Sequence, residues 1–428
     1  MRACARTPAE LRPAAVKRSP LLPIFLIVLV DILGMTIILP LLPFYAEHFG
    51  ASAQTATLLI STYAACQLVA GPLLGRMSDR TGRKPLLLVS QMGTFLGFLL
   101  LANAWTLWVV FASRIIDGLT AGNLSLAQAY IADVTAPKER TKAFAVIGIA
   151  FGVGFLIGPA ISGYLAQFGY QYPIYVAAGL SFTSIVCTAT LLPRNPPRPE
   201  GILETDPAPV APGGKRLSVL AWDQYLQYFR RPGLGSLLGQ FFIFCCFFSM
   251  FTSGFALFAE HRPQLHFGVK QVGYVFAYAG FLGIILQGGL IGRLAKRFGD
   301  AALVSAGFLG AAIGYYVLSA SYGIPVLLVA ASISSVGTGL LRPALTSLIT
   351  QQVSRSEQGT VLGLNQSLMS VAAIGAPALA GFLINRGWLS VWAATAATLA
   401  VVGLLMSRKD AALAREAGKA ARAAGQAV

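Results

Sequence analysis

Three ionisable side chains stand in apolar surroundings. Asp31 falls near the middle of LVDILGMTIILPLLP, and Arg114 and Asp117 share the run ASRIIDGLTAGN. An acid at that depth in a membrane helix costs about 2.5–3.5 kcal/mol on insertion scales, so it is expected to face a cavity or a partner and to serve function. Such a carboxyl is suited to taking up and releasing protons. Arg114 and Asp117, three residues apart on a helix, share a face and can neutralise each other. An embedded arginine stays charged, so Arg114 can set whether Asp31 or Asp117 holds a proton. The purely structural alternatives are an acid held by polar neighbours and a simple ion pair.

Other polar residues inside apolar runs are candidates for lining a cavity: Gln67, Asn123, Gln128, Gln240, Gln287, Arg342, Asn365 and Gln366. Arg342, a second embedded base, requires a counter-charge or an anionic substrate. Phe241, Phe244, Phe247, Phe248 and Phe251, with Tyr274, Phe276 and Tyr278, offer aromatic walls for a lipophilic compound, or else face lipid and neighbouring helices. No nucleotide-binding loop, metal cluster or catalytic triad is visible, and the GxGxxG-like glycines lie inside apolar helices. An enzyme is therefore not expected, nor any cofactor or metal. Cys66, Cys187, Cys245 and Cys246 fall in apolar runs and Cys4 in a tail, which implies neither disulfides nor zinc.

The elements that must hold these residues are membrane helices. Of 428 residues, 56% are hydrophobic and 11% charged, and the mean hydropathy is +0.68. A soluble domain carries about 25% charged residues. Apolar runs long enough to span number twelve: 21–44, 57–75, 86–104, 106–132, 143–167, 173–193, 233–257, 271–291, 301–320, 325–350, 358–385 and 388–406. The formal charge of +16 suggests nucleic acid, but its distribution argues against it: 27 of the 32 Lys and Arg lie in segments on the side of both termini. Arg262, Lys270 and Arg386 lie opposite, and Arg114 and Arg342 within spans. This asymmetry predicts both termini in the cytoplasm and lipid, not nucleic acid, as the surrounding partner. The run after the first 20 residues is too long for a signal peptide and contains Asp31.

The order of segments is a basic tail (1–20), six helices (21–193), a proline-rich cytoplasmic linker (194–232), six more helices (233–406) and an alanine- and base-rich tail (407–428). Within the linker, Ser218–Phe229 is expected to form a short surface helix. The halves repeat. Tyr45-Ala46-Glu47-His48 returns as Phe258-Ala259-Glu260-His261, and Gly75-Arg76…Arg80-Thr81-Gly82 as Gly292-Arg293…Arg297-Phe298-Gly299. Glu139, Pro159 and Gly163 return as Glu357, Pro377 and Gly381. Six repeated helices suit two bundles rocking about a central site.

Between the second and third runs lies GPLLGRMSDRTGRKP, Gly71–Pro85. It is expected to be a short basic loop, with Gly75 allowing close packing, Gly82 supplying a positive φ or a helix end, and Asp79 accepting from a neighbouring helix N-terminus. With Gly75, Asp79, Arg80, Gly82, Arg83 and Lys84 in place, it resembles the loop signature between helices two and three of the major facilitator superfamily. The pattern Asp31, Gly34, Pro40, Pro43 resembles the first helix of drug–proton antiporters, the tetracycline-efflux class included. Arg114-x-x-Asp117-Gly118 resembles the family's helix-four signature, whose arginine is linked to proton coupling; aspartate replaces its glutamine, leaving Asp31 and Asp117 both open as the proton site. Gly154, Gly158, Pro159 and Gly163 resemble the helix-five antiporter motif, with Ser162 where glycine is usual. A packing kink is the plainer reading of that motif.

The resemblance, which covers about residues 20–406, implies an all-α membrane protein of twelve transmembrane helices in two six-helix pseudo-symmetric bundles. It implies a monomer of the plasma (inner) membrane that exports a small lipophilic or amphiphilic compound in exchange for protons by alternating access. Import or facilitated diffusion of a polar solute is the nearest alternative, and a non-transporting receptor on the same fold another. The tetracycline class carries an acid in its ninth helix, and residues 301–320 have none.

Overall fold

The computed structural model describes residues 21–134, 140–193, 227–354 and 357–425, with helices and no strand among them. Lipid offers no hydrogen-bond partners, so a spanning segment must satisfy its own backbone, and helices do. The first half comprises α1 (Leu21–His48), α2 (Ala53–Thr81), α3 (Arg83–Ala102), α4 (Leu107–Leu119), α5 (Asn123–Val134), α6 (Arg140–Leu165) and α7 (Gln171–Leu191). The second comprises α8 (Leu234–His261), α9 (Val269–Ile285), α10 (Ile291–Phe298), α11 (Asp300–Ser319), α12 (Ile324–Gln351), α13 (Gln358–Asn385) and α14 (Leu389–Gly425). A π-turn, Leu286–Leu290, joins α9 to α10 as one crossing.

Among the described residues, eleven helices are long and apolar enough to cross a membrane. The twelfth crossing, expected over 106–132, is instead two helices, α4 and α5. At the break Ser90 Oγ of α3 donates to the Thr120 carbonyl and accepts from Gly122 N at 2.9 Å, so backbone groups freed by the break are satisfied. Such a break inside the membrane is tolerated only where protein buries it.

The basic stretch is likewise not a loop. The α2 helix continues to Thr81, and the single residue Gly82 (φ +96°) turns the chain into α3. Gly299 (φ +80°) turns α10 into α11 in the same way, so the repeat read in the sequence is a repeat of geometry. Gly75 packs against nothing: a Cβ there would meet no atom within 4 Å. Arg83 pairs with Asp133 of α5 at 2.9 Å. Lys84 Nζ donates to the carbonyls of Ala189 and Leu192 (2.7 and 2.6 Å), capping the end of α7, where a cation is favoured. The side chain of Asp79, Glu139 and most of Ser218–Phe229 lie outside the described residues.

Of the two readings open for the phenylalanines of α8, packing against neighbouring helices is the one seen for three of them. Phe241, Phe244 and Phe247 are buried inside the second bundle, where Phe247 makes edge contacts with Phe308 and Tyr315. Phe251 stacks on Trp392 of α14 at 6.4 Å between centroids. Apolar rings gain most contact inside their own bundle, so Phe241, Phe244 and Phe247 are core rather than cavity wall, while Phe248 and Phe251 are half-buried.

The bundles touch along α2 and α13 and along α6 and α9. At one end of the molecule the approach is backbone to backbone. A Cβ on Gly381 would sit 2.8 Å from Gln54 Cα, and one on Gly163 3.0 Å from the Lys270 carbonyl oxygen. Ser61 Oγ donates to the Ile374 carbonyl at 2.7 Å. Eighteen residues make five helical turns and return to the same face. Gly75 is that far from Thr57 along α2, and Gly363 from Gly381 along α13, yet neither has a neighbour within 4 Å of a built Cβ. The bundles therefore meet at the end bearing the α1–α2 connection and stand apart at the end bearing the chain termini.

Candidate functional site

The three embedded charges come together inside the first bundle. Arg114 Nη1 lies 3.2 Å from Asp117 Oδ2, both side chains 6% exposed, and the guanidinium sits over the Phe98 ring of α3 at 5.7 Å. Arg114 Nε and Nη2 are buried without a partner. The pair is thus half-satisfied, which in a low-dielectric interior is costly and must be held by surrounding packing. Asp31 lies across from it on α1, beside Ser184 of α7 and Gln91 of α3 and close enough to Asp117 to feel its charge. Its Oδ1 is buried without a partner.

Polar residues that the sequence reading passed over complete the cluster. Gln91 Nε2 donates to Ser184 Oγ at 2.8 Å. Thr94 lies beside Asp117, and Tyr63 of α2 lies near Asp31, Arg114 and Asp117. The signal for them was the same one that marked Asp31: Ser90, Gln91 and Thr94 interrupt an apolar span.

The helix-five motif has two working faces. Gly154 and Gly158 let α1 approach so closely that a Cβ on Gly158 would sit 2.8 Å from Thr36 Cβ, and Thr36 Oγ1 donates to the Gly154 carbonyl at 2.9 Å. Small residues at this spacing bring membrane helices into direct backbone contact, here one turn from Asp31. Pro159 and Gly163 face the other bundle, against Gly273 and Lys270 of α9. The motif therefore touches both the helix carrying Asp31 and the contact between bundles.

The cavity candidates separate. Gln240 is 1% exposed and donates to Asp410 Oδ2 at 2.8 Å, a tie within the second bundle. Gln67 Nε2 donates to Tyr63 OH at 3.3 Å, beside the charged cluster. Asn123 opens α5 with its Oδ1 buried and unpartnered, and Gln128 lies further along that helix. Asn365 is buried on α13 with neither side-chain oxygen nor nitrogen partnered. Arg342 of α12 reaches Phe151 of the first bundle, 5.2 Å from ring centroid to guanidinium carbon. Among the described residues, Glu47, Glu260 and His261 are grouped at the closed end, where the two repeated Glu-His pairs meet.

Two pseudo-symmetric helical bundles, meeting at one end and parted at the other, with ionisable groups in the membrane interior, define a polytopic membrane carrier. The Major Facilitator Superfamily model matches residues 24–300 and again 288–426, and the chain belongs to that family. It is 32% identical over 380 residues to a class E tetracycline resistance protein of Escherichia coli, covering 86% of this chain and 89% of that one. With a class D tetracycline resistance protein of Salmonella ordonez it is 30% identical over 367 residues, covering 84% and 88%. Among solved structures, the human organic anion transporter MFSD10 superposes with a TM-score of 0.69 at 24% identity, over 90% of this chain and 98% of that one. That last likeness carries the fold alone.

Proposed function

We propose that this protein exports a small lipophilic or amphiphilic compound by exchanging it for protons through alternating access. The observation that carries the reading is Asp31 in the membrane interior beside the Arg114–Asp117 pair. With both acids ionised, the trio holds a net charge of −1, and one proton makes it neutral. Net charge in a low-dielectric interior is expensive, so a proton bound there and released elsewhere is a natural unit of exchange. Inward movement of one proton down 100 mV supplies about 2.3 kcal/mol, enough to drive export at one-to-one exchange. Relatives named for tetracycline resistance support export as the direction.

In this reading the bases fix the parted end on the cytoplasmic side, so the structure is an inward-facing state, ready to load from the cytoplasm. Gly154 and Gly158 couple α1 to α6, and Pro159 and Gly163 couple α6 to α9. A change of charge at Asp31 thereby reaches the contact that opens and closes. The test is transport in proteoliposomes across a panel of lipophilic compounds, tetracycline among them, with an imposed proton gradient. Gradient-driven accumulation, with protons moving opposite to the compound, is expected; accumulation unaffected by dissipating the gradient would refute proton exchange.

A further inference from the structure

Arg342 is a charge that the proton-exchange reading does not use. It stands 19 residues into the 28-residue α12, about 13 Å from the helix's nearer end at 1.5 Å per residue. Its side chain is exposed and touches α6 of the first bundle and α13 of the second, so it faces the gap between the bundles. Its contacts are Met369 Sδ of α13 at 3.9 Å and the face of Phe151 at 5.2 Å. No carboxylate is paired with it among the described residues, in contrast to Arg114, Arg83 and Arg231. One turn from Met369 along α13, Asn365 is buried with both amide atoms unpartnered.

A guanidinium cannot discharge itself at physiological pH, and a lone cation at this depth is costly unless an anion completes it. A sulfur atom and an aromatic face neutralise little of it. The groups beside it, Phe151 and Met369, are apolar and come from both bundles, with the Cys245 thiol also near and the unsatisfied Asn365 amide one turn from Met369. That is the pattern of a pocket with a few polar anchors in apolar walls.

The geometry points to Arg342 as the anchor for an anionic group, a carboxylate, sulfonate or phosphate, on an otherwise apolar compound seated between Phe151 of the first bundle and Met369 of the second. This rests on the reading of the chain as a transporter, since it assigns the class of its substrate. The planar fork of Arg342 takes two oxygens of such a group, the ring of Phe151 takes apolar bulk, and Asn365 supplies a donor or acceptor at the rim.

Binding of 1-pyrenebutyrate and of its neutral counterpart 1-pyrenebutanol to the purified protein, in nanodiscs of zwitterionic lipid, tests this directly. The anion is expected to bind at least tenfold more tightly, as charge-assisted hydrogen bonds of about 1.5–3 kcal/mol require. Arg342→Gln is expected to erase the preference while leaving 1-pyrenebutanol binding in place. Arg342→Lys, which keeps the charge within the same bilayer, should keep part of it, and Arg386→Gln, at the closed end, all of it. Equal binding of the two probes by the native protein, or a preference that survives Arg342→Gln, would overturn the assignment. Phosphatidylglycerol added to the nanodiscs should not compete; competition in the native protein and not in Arg342→Gln would make the anion a lipid headgroup and overturn the substrate role. A preference intact in protein that moves no compound in proteoliposomes would refute the transport reading and leave the anion site standing.

Discussion

Gly163 lies flush against the main chain of Lys270, so that a Cβ on the glycine would fall 3.0 Å from the lysine carbonyl oxygen and 3.1 Å from its Cα. Gly381, its counterpart in the repeat, stands in the same relation to Gln54 and Ala53. Backbone cannot give way as a flexible side chain does. Gly163→Val is therefore expected to part the bundles at this end, with overpacking worth about 1–3 kcal/mol. Since 1.4 kcal/mol is a tenfold change, the population open at this end should rise roughly fivefold to a hundredfold. Spin labels at Ser52 and Gly387 would report it as a longer distance; an unchanged distribution would show that this contact does not hold the end shut.

The two acids of the first bundle should fail differently. Asp31→Asn is expected to abolish transport driven by a proton gradient while leaving compound exchange at equal pH and the melting temperature nearly unchanged. Asp117→Asn strips Arg114 of the acid it pairs with, and breaking a buried pair costs about 3–5 kcal/mol, so its first effect should be loss of stability. Gradient-driven pumping by Asp31→Asn at the native rate would remove Asp31 from the coupling.

Ser90 holds the broken crossing together through Thr120 and Gly122. Ser90→Ala leaves a buried carbonyl and a buried amide without that partner. An unsatisfied buried group costs about 1–3 kcal/mol, and thermal unfolding in detergent should register a loss of that order. Ser90→Thr, which keeps the hydroxyl, should recover part of it.

The Arg231–Glu357 pair, 2.7 Å apart, gives a pH test outside the spans. Hydrogen bonds from Arg231 and Ser354 hold the Glu357 carboxyl down at about 2. A depressed carboxylate stabilises above its unfolded value, about 4.3, and loses that contribution as pH falls toward 2. The pair is partly exposed, so about 0.2–1 kcal/mol is expected. Melting curves of the native protein and Glu357→Gln should differ at pH 7 and converge as the pH falls from about 4.3 through 2; a constant difference across that window would refute the pairing.

The distribution of basic residues predicts the orientation. A cysteine replacing Ser52 should react with an impermeant reagent from outside the cell and one replacing Ala208 should not. The opposite pattern would invert the molecule.

Much of this was legible in the chain, for identifiable reasons. Apolar length located the crossings, and the recurrence of Gly82 as Gly299 and of Gly163 as Gly381 located the repeat, because a positive φ or a backbone contact tolerates little else. The break at Thr120–Gly122 was not legible. It lies inside an apolar run, and its stability depends on Ser90, thirty residues away in sequence. The phenylalanines of α8 left two readings open because apolar character says that a side chain leaves water without saying which neighbour it joins. Gln240 misled because its partner, Asp410, lies beyond the last expected span. Asp31, Arg114 and Asp117 stood out because charge in lipid is rare whatever surrounds it.

At Gly163 and Gly381 the bundles meet across a residue that has no side chain to order, while Ser61, the Lys270–Gln167 hydrogen bond and the Glu47–His261 pair add side-chain ties at the same end. Parting and rejoining such surfaces freezes few rotamers, whereas interlocked long side chains cost up to about 2 kcal/mol each to immobilise. The two glycine contacts can thus be tight in geometry and shallow in free energy at once. A carrier must leave each of its states as readily as it enters, and the two glycine contacts let this end shut closely with few rotamers to freeze at those points.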